Sequence, residues 1–412
     1  MNTFQTIELP EMGTHALGTE KVSTRSYFSQ EHFEQEKEHI FSKSWMMTGR
    51  ESDLAKAGDY FTFHIDALNT SLAIVRGKDQ RIRAFYNICT HRGTKILTED
   101  RGSLRGSMIC PYHGWVFGLD GDLLNVPGEE TFGCLDKSKE GLREVSLDIW
   151  GGFIFVNLDL RPQWSLREYL APLDDRFDRY LGDAQWSWSY GWKSRVKSNW
   201  KILVDAQIEG YHTTWGHHRT ISRNILAEGA RPFAYPQSIG VAGGLHLFRP
   251  EKLGTQTQVG LLSAKFGATS LYAEPEKTFE VKHSEGLLRD DHPRWILDEY
   301  LLFPNTVMFV QKGQIFIQRT YPLSPHESLW EVDFYHSDPP KNFGEWFSTE
   351  QGRLQIRDVL SEDLKLAEGI QENCRSGAIG EFSLSKQEVL IRSFCQKIQQ
   401  HIASGSAAAE AS

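Results

Sequence analysis

NICTHRGTKI, residues 87–96, and CPYHGWVF, residues 110–117, each join a cysteine to a nearby histidine: Cys89 with His91, and Cys110 with His113. The chain has only five cysteines in 412 residues, so two Cys/His pairs this close together form a pattern. Thiolate and imidazole are donors for soft and borderline metals. The surrounding sequence reads as short alternating runs: GDYFTFHI (58–65), SLAIVRG (71–77), RIRAFYNI (81–88), SMICPYH (107–113), WVFGLDGDLL (115–124) and GGFIFVNL (151–158). Apolar–polar alternation broken by Gly and Asp turns, such as LDGD at 119–122, is the signature of short strands. The spacing predicts a small all-β domain with both Cys/His pairs on its loops.

Two metal centres suit such a donor set. One is a structural zinc held by two thiolates and two imidazoles. The other is a Rieske [2Fe–2S] cluster, in which two cysteines hold one iron and two histidines the other. The flanking residues matter for the second. Gly93 and Gly114 would let backbone N–H groups approach bridging sulfides, Pro111 would stiffen its loop, and Trp115 would shield it.

A chain this long is expected to form more than one domain. SQEHFEQEKEHIFSKSW (29–45) reads as a helix capped by Ser29. The expected boundaries are an N-terminal helical segment over 1–45, the β domain over 46–165, a larger mixed domain over 166–402, and a disordered tail over 403–412. Within the mixed domain, helices are expected near 199–213, 344–373 and 384–402, and strands at GLHLF, EYLLF, TVMFV, QIFIQRTYP and WEVDFYH. The fold class is α+β. The net charge of −9 and the lack of a Lys/Arg-rich block argue against nucleic acid. No apolar run of about eighteen residues is present, and a membrane span is not expected. MNTFQTIELP lacks a signal-peptide pattern, Cys134, Cys374 and Cys395 read as free buried or half-buried thiols, and a reducing cytoplasm is the expected compartment.

A second constellation lies in NWKILVDAQIEGYHTTWGHH (199–218). Asp205, Glu209 and His212 recur at helical spacing on a polar row, beside an apolar side that includes Tyr211 and Trp215. This row reads either as a solvated face or as part of a metal site. His217 is five positions after His212, about 140° around an ideal helix. The two face one metal only if the helix ends or bulges between them, and Gly216 favours an ending. His218 is an alternative donor. Downstream, RLQIRDVLSEDLKLAEGIQ (353–371) has an apolar stripe of Ile356, Val359, Leu360, Ala367 and Ile370. Asp363 falls on that stripe and Glu362 does not. A carboxylate there needs a cationic partner or a metal. With two histidines it would complete the 2-His-1-carboxylate set of non-haem Fe(II) enzymes.

CTHRG followed by CPYHGWVFGLDGDL, together with NWK…D…EGYHTTWGH, LLFPN (301–305) and EDLKLAEGIQ, resembles the α (oxygenase) subunits of the Rieske ring-hydroxylating oxygenases over roughly 25–400. The resemblance implies a Rieske domain followed by a helix-grip-like catalytic domain. Carried over by position, Cys89, His91, Cys110 and His113 bind the cluster, and His212, His217 and Asp363 bind Fe(II). Glu209 takes the place of the acid that links the iron to the cluster histidine of the adjacent subunit, here His113. Many members have Asp at that position, and some that act on quaternary ammonium compounds have Glu. Asp205 is implicated with Glu209 in catalysis. The position after the motif's first acid, often Asn, is Ala206. The resemblance further implies a homotrimer or a multiple of it, O2 as co-substrate, and NAD(P)H-derived electrons from a separate reductase, with or without a ferredoxin. The substrate would be a small aromatic or N-alkyl compound that is hydroxylated or dealkylated. Ring dihydroxylation is the alternative; a Rieske electron carrier and a zinc-stabilised binding protein are more distant ones. Phe233, Tyr235, His246, Phe248, Phe303 and Phe309 are core residues or pocket walls.

Overall fold

The structure, a computed structural model, describes residues 17, 20–171, 173, 181–182, 186–222, 233–238, 242–248, 257–266, 295–311, 313–337 and 339–410, with backbone alone at 233–238, 242–248, 295–296, 386 and 405–410. The chain divides into two compact units. One is Lys37–Tyr169, and the other joins the segment up to Glu36 to everything from Leu170 onward.

The first unit is built on a seven-stranded antiparallel sheet in the order Met46–Arg50, Phe153–Asn157, Glu144–Trp150, Ile82–Tyr86, Thr70–Arg76, Asp59–Ile65, Arg101–Ser103. A three-stranded sheet, Ser107–Ile109, Val116–Gly118 and Leu123–Asn125, stands beside it. All six alternating runs become strands. Leu72, Ile74, Ala84 and Phe85 are buried; Ala84 and Phe85 are neighbours on one strand and face opposite ways, so the sheet is covered on both faces there. Cys89, Cys110, Trp115 and Phe117 belong to one buried cluster with Met108 and Phe85. The core of this unit therefore seats the cysteine loops.

The second unit carries a seven-stranded antiparallel meander: Ser187–Val196, Glu327–His336, Gln314–Ser324, Thr306–Gln311, Trp295–Leu302, Ala242–Phe248, Phe233–Ser238. A helix of 34 residues, Phe343–Ser376, is capped by the Asn342 side chain and ends at Gly377 in the left-handed conformation. Its Gln371 accepts from Asn199 N (2.6 Å) and donates to the Tyr27 carbonyl (3.1 Å). Trp200–Asp205 forms a short helix behind Asn199. Lys201 on it pairs with Glu36 at 2.5 Å with both side chains enclosed, and Trp200 Nε1 donates to the same carboxylate. A buried pair is tolerated when such bonds satisfy it, and this one fixes the helix that leads into the second constellation. The N-terminal helix starts at Gln30, with Ser29 Oγ accepting from His32 N. The last helix spans Val389–Glu410 and so extends as far as Glu410 into the segment expected to be disordered; SGSAAAE (404–410) is rich in Ala, the best helix former. Cys374 and Cys395 are buried, whereas Cys134 is exposed. Among the described residues, no helix is long and apolar enough to cross a membrane.

Candidate active site

The two cysteine loops are built alike. Cys89 N donates to Thr94 O and Cys110 N to Trp115 O, each five residues on. Gly93 N donates to Cys89 O and Gly114 N to Cys110 O, each four residues on. This clasp requires a left-handed residue at its end, and Gly93 (φ +77°) and Gly114 (φ +71°) supply it. Their own N–H groups are thus spent on cysteine carbonyls, and the tight turn they allow brings other backbone N–H groups round to the sulfur. The N–H groups of His91 and Arg92 approach the Cys89 sulfur, and partly offset the burial that raises its thiol pKa. The His91 and His113 rings lie 4.7 Å apart. Trp115 stacks on His91 at 4.9 Å and 7°, the shield expected of it, and Phe132 meets His91 edge-on.

The donor set fits a cluster better than a single ion. Ligands around one tetrahedral zinc lie within about 4 Å of one another, given bonds near 2.0–2.3 Å. Among the described residues, the group of His, Cys, Asp or Glu whose donor atoms all lie within 4.8 Å is His212, His217 and Asp363. The two cysteines and two histidines are too spread for that, and His113 Nδ1 is buried without a partner. A two-iron cluster with a thiolate pair on one iron and an imidazole pair on the other suits this spread.

The second constellation forms because the helix breaks. The helix expected to reach 213 stops at Asp205, and a separate turn of helix covers Thr213–Gly216. Glu209 causes part of the break: its carboxylate accepts from Tyr211 N and from His212 N, which competes with helical bonding. His212 and His217 now flank the short helix as its two caps. Their Nε2 atoms are 3.1 Å apart, and Asp363 Oδ1 lies 3.4 Å from the first and 3.3 Å from the second. Neighbouring ligands of an octahedral ion with bonds near 2.1 Å are about 3.0 Å apart. The three atoms therefore match one octahedral face, the arrangement that leaves positions open on non-haem Fe(II). His218 is exposed. Tyr211 and Trp215, read as apolar-side residues, are exposed as well, Trp215 at 80%.

Each imidazole has a carboxylate behind it. Glu209 Oε1 bonds His212 Nδ1, and Glu362 Oε2 lies 3.3 Å from His217 Nδ1. Glu362 is itself held by Thr220 Oγ1 (2.6 Å) and Arg219 N (3.2 Å). Such partners fix tautomer and ring orientation for metal binding. Asp363 Oδ2 accepts from Gln207 Nε2 at 3.0 Å, Gln207 Oε1 from Gln318 Nε2 at 2.8 Å, and Gln318 Oε1 from Trp330 Nε1 at 3.0 Å. Sequence reading missed this chain and the role of Glu362; the acidic pair Glu362–Asp363 was the available signal. Without a metal, burial opposes the His212 cation, but the bonds to Asp363 and Glu209 outweigh it and push its pKa up to about 10. Burial lowers that of His217.

Asp205 is placed in a different cluster. It accepts from Tyr27 Oη at 2.7 Å, with Cys395 Sγ 3.5 Å from the same hydroxyl, and among the described residues it makes no hydrogen bond to the triad. Burial raises its pKa to about 7. Phe303 is a core residue, stacked on His401. Phe309 stacks on Phe316 at 4.2 Å. The side chains of Phe233, Tyr235, His246 and Phe248 lie outside the described residues.

Comparison with known proteins points to one family. Residues 44–139 match the model of the Rieske [2Fe-2S] domain, and 177–404 that of the ring hydroxylating alpha subunit (catalytic domain). The chain is 30% identical to the carnitine monooxygenase oxygenase subunit of Escherichia coli K12 over 86% of its length and 84% of that protein. It is 33% identical to the corresponding subunit of Acinetobacter baumannii, over 85% and 84%. Among solved structures, naphthalene 1,2-dioxygenase from Rhodococcus sp. shares the fold with a TM-score of 0.74 at 20% identity, covering 95% of this chain and 97% of the other. A quaternary ammonium Rieske monooxygenase in complex with L-carnitine gives 0.72 at 23%, covering 95% and 99%.

Proposed function

The chain belongs to the ring-hydroxylating α-subunits of the Rieske oxygenases, and from that premise we propose that it oxidises a quaternary ammonium or other N-alkyl compound. It is a terminal oxygenase with a Rieske cluster and a mononuclear iron, fed by electrons from a separate reductase. The observation that carries the reading is the His212–His217–Asp363 triangle with a carboxylate behind each imidazole. In this reading Cys89, Cys110, His91 and His113 hold the cluster, and the iron supplies O2 activation when bound. The chain's own residues do the rest. Glu209 and Glu362 orient the imidazoles, and Gln207 takes one Asp363 oxygen and leaves the other free for the metal.

The N-alkyl substrate is supported by the carnitine monooxygenase relatives, and by the glycine betaine monooxygenase oxygenase subunit of Pseudomonas aeruginosa, 29% identical over 48% of this chain. Glu209 in place of Asp points the same way. A homotrimer, with His113 of one copy against Glu209 of the next, accounts for two exposed apolar groups: Ile109 and Tyr112 near His113, and Tyr211 and Trp215 near Glu209 (58%, 56%, 53% and 80% exposed). The test is oxygen uptake with a surrogate reductase across carnitine, glycine betaine, tertiary N-methyl amines and aromatic acids, followed by product analysis. Uptake coupled to N-alkyl oxidation is the expected result; coupled turnover confined to aromatic rings overturns the substrate reading.

A further inference from the structure

Cross-strand partners in a sheet share a face, and so do residues two apart along a strand. In the catalytic sheet, Glu299 pairs with Phe309, Phe309 with Phe316, and Phe316 with Phe334. The next row on that face runs through Leu301, Val307 and Gln318. Gln318 leaves the sheet to bond Gln207, which bonds Asp363. The face that carries Glu299 is therefore the face that looks onto the metal triad.

Glu299 is anomalous there. It is 6% exposed, its Oε1 is enclosed without a partner, and no hydrogen bond or ion pair holds it among the described residues. A buried carboxyl left unpaired is costly, and a Leu or Val would fit this strand without that cost. Two more enclosed atoms on the same face lack partners, Gln314 Oε1 and His336 Nε2. Beside Glu299 stand the stacked rings of Phe309 and Phe316, 4.2 Å apart. Burial pushes the Glu299 carboxyl well above the carboxylate range, the charge of His212 opposes that, and Glu209 and Asp363 reinforce it. A fixed positive charge seated nearby would favour its ionised form.

We propose that Glu299 is the specificity-determining residue that receives the cationic head of the substrate, with Phe309 and Phe316 as its aromatic wall. A quaternary ammonium group has no N–H to donate, so a carboxylate at contact and aromatic faces are the partners that recognise it. Gln314 and His336 are left for polar groups elsewhere on the same molecule. The inference rests on the N-alkyl reading above and names the group that selects such a substrate.

The experiment is calorimetric binding, without turnover, of choline and of its neutral carbon isostere 3,3-dimethylbutan-1-ol to the full-length holoprotein. The intact chain is expected to prefer choline by about tenfold or more. Glu299→Gln should abolish that preference while cluster absorption and iron content stay unchanged, and Glu299→Asp should retain part of it. If the intact chain shows no preference, or if Glu299→Gln keeps all of it, the proposal is overturned. If Glu299→Gln does not fold, the isostere comparison on the intact chain and the Asp variant decide. Failure of the oxygenase reading registers separately, as absence of cluster absorption or of the third iron.

Discussion

At the scale of single residues, the site depends on groups that touch no metal. Glu362 is such a group: it meets His217 Nδ1 and is held in turn by Thr220 and Arg219. Glu362→Gln should weaken Fe(II) binding by about 10–100-fold and leave the cluster spectrum untouched. Iron titration of the variant checks this, and an unchanged affinity would show that His217 needs no such support. Glu209→Gln should retain both metals yet slow turnover several-fold, and an unaltered rate would remove its linking role. Asp363 was legible in the sequence because a carboxylate on an apolar stripe is an energetic anomaly. Glu362 lies off that stripe, where a carboxylate is no anomaly. Its partner arrives from another segment through tertiary folding, and no local periodicity carries that information. Glu299 leaves a trace in the sequence, an acidic pair inside WILDEYLL (295–302).

At the scale of elements, the duplicated cysteine clasp makes a sharp prediction. Gly114 sits at φ +71°, where a side chain costs about 1–2 kcal/mol. Gly114→Ala should lower cluster retention during urea titration, and Gly93→Ala should do so similarly because its loop is bonded the same way. Equal midpoints for cluster loss in variant and parent would show that the clasp does not hold the cluster. Strands were legible because alternation is local: all six runs of the first unit became strands. The interruption of 199–213 was harder to see. Helical spacing continues through Gln207 and Glu209, and the break follows from where the Glu209 carboxylate finds its donors. The condition for it, that the two histidines cannot share a metal on one unbroken helix, was already visible in their spacing.

At the scale of the whole molecule, stability should carry the mark of Asp205. Its carboxyl titrates near 7 in the folded chain, against an ordinary 3.8. Between those values the folded chain holds one proton more than the unfolded chain. The stabilisation is therefore full below the unfolded pKa and is lost as pH rises through about 7. Asp205→Asn should remove about 1.4 kcal/mol per pH unit of that decline, measured as urea unfolding free energies at pH 5 and pH 7; parallel differences in both proteins would sink the assignment. Assembly has its own test. Cys110→Ser, without a cluster, and His212→Ala, without the catalytic iron, should each be inactive. Mixed oligomers of the two should recover part of the rate if electrons cross between copies, and none if they do not.

The meander that runs from Trp295 to His336 has a consequence beyond its geometry. Much of the wall facing the triad comes from one uninterrupted stretch of chain. The ligands and their supporting carboxylates come from two others, around 209–217 and at 362–363. On the proposed roles, selectivity and oxidising power are inherited on separate lengths of sequence, so a lineage can change what it consumes through one stretch while the other two stay fixed.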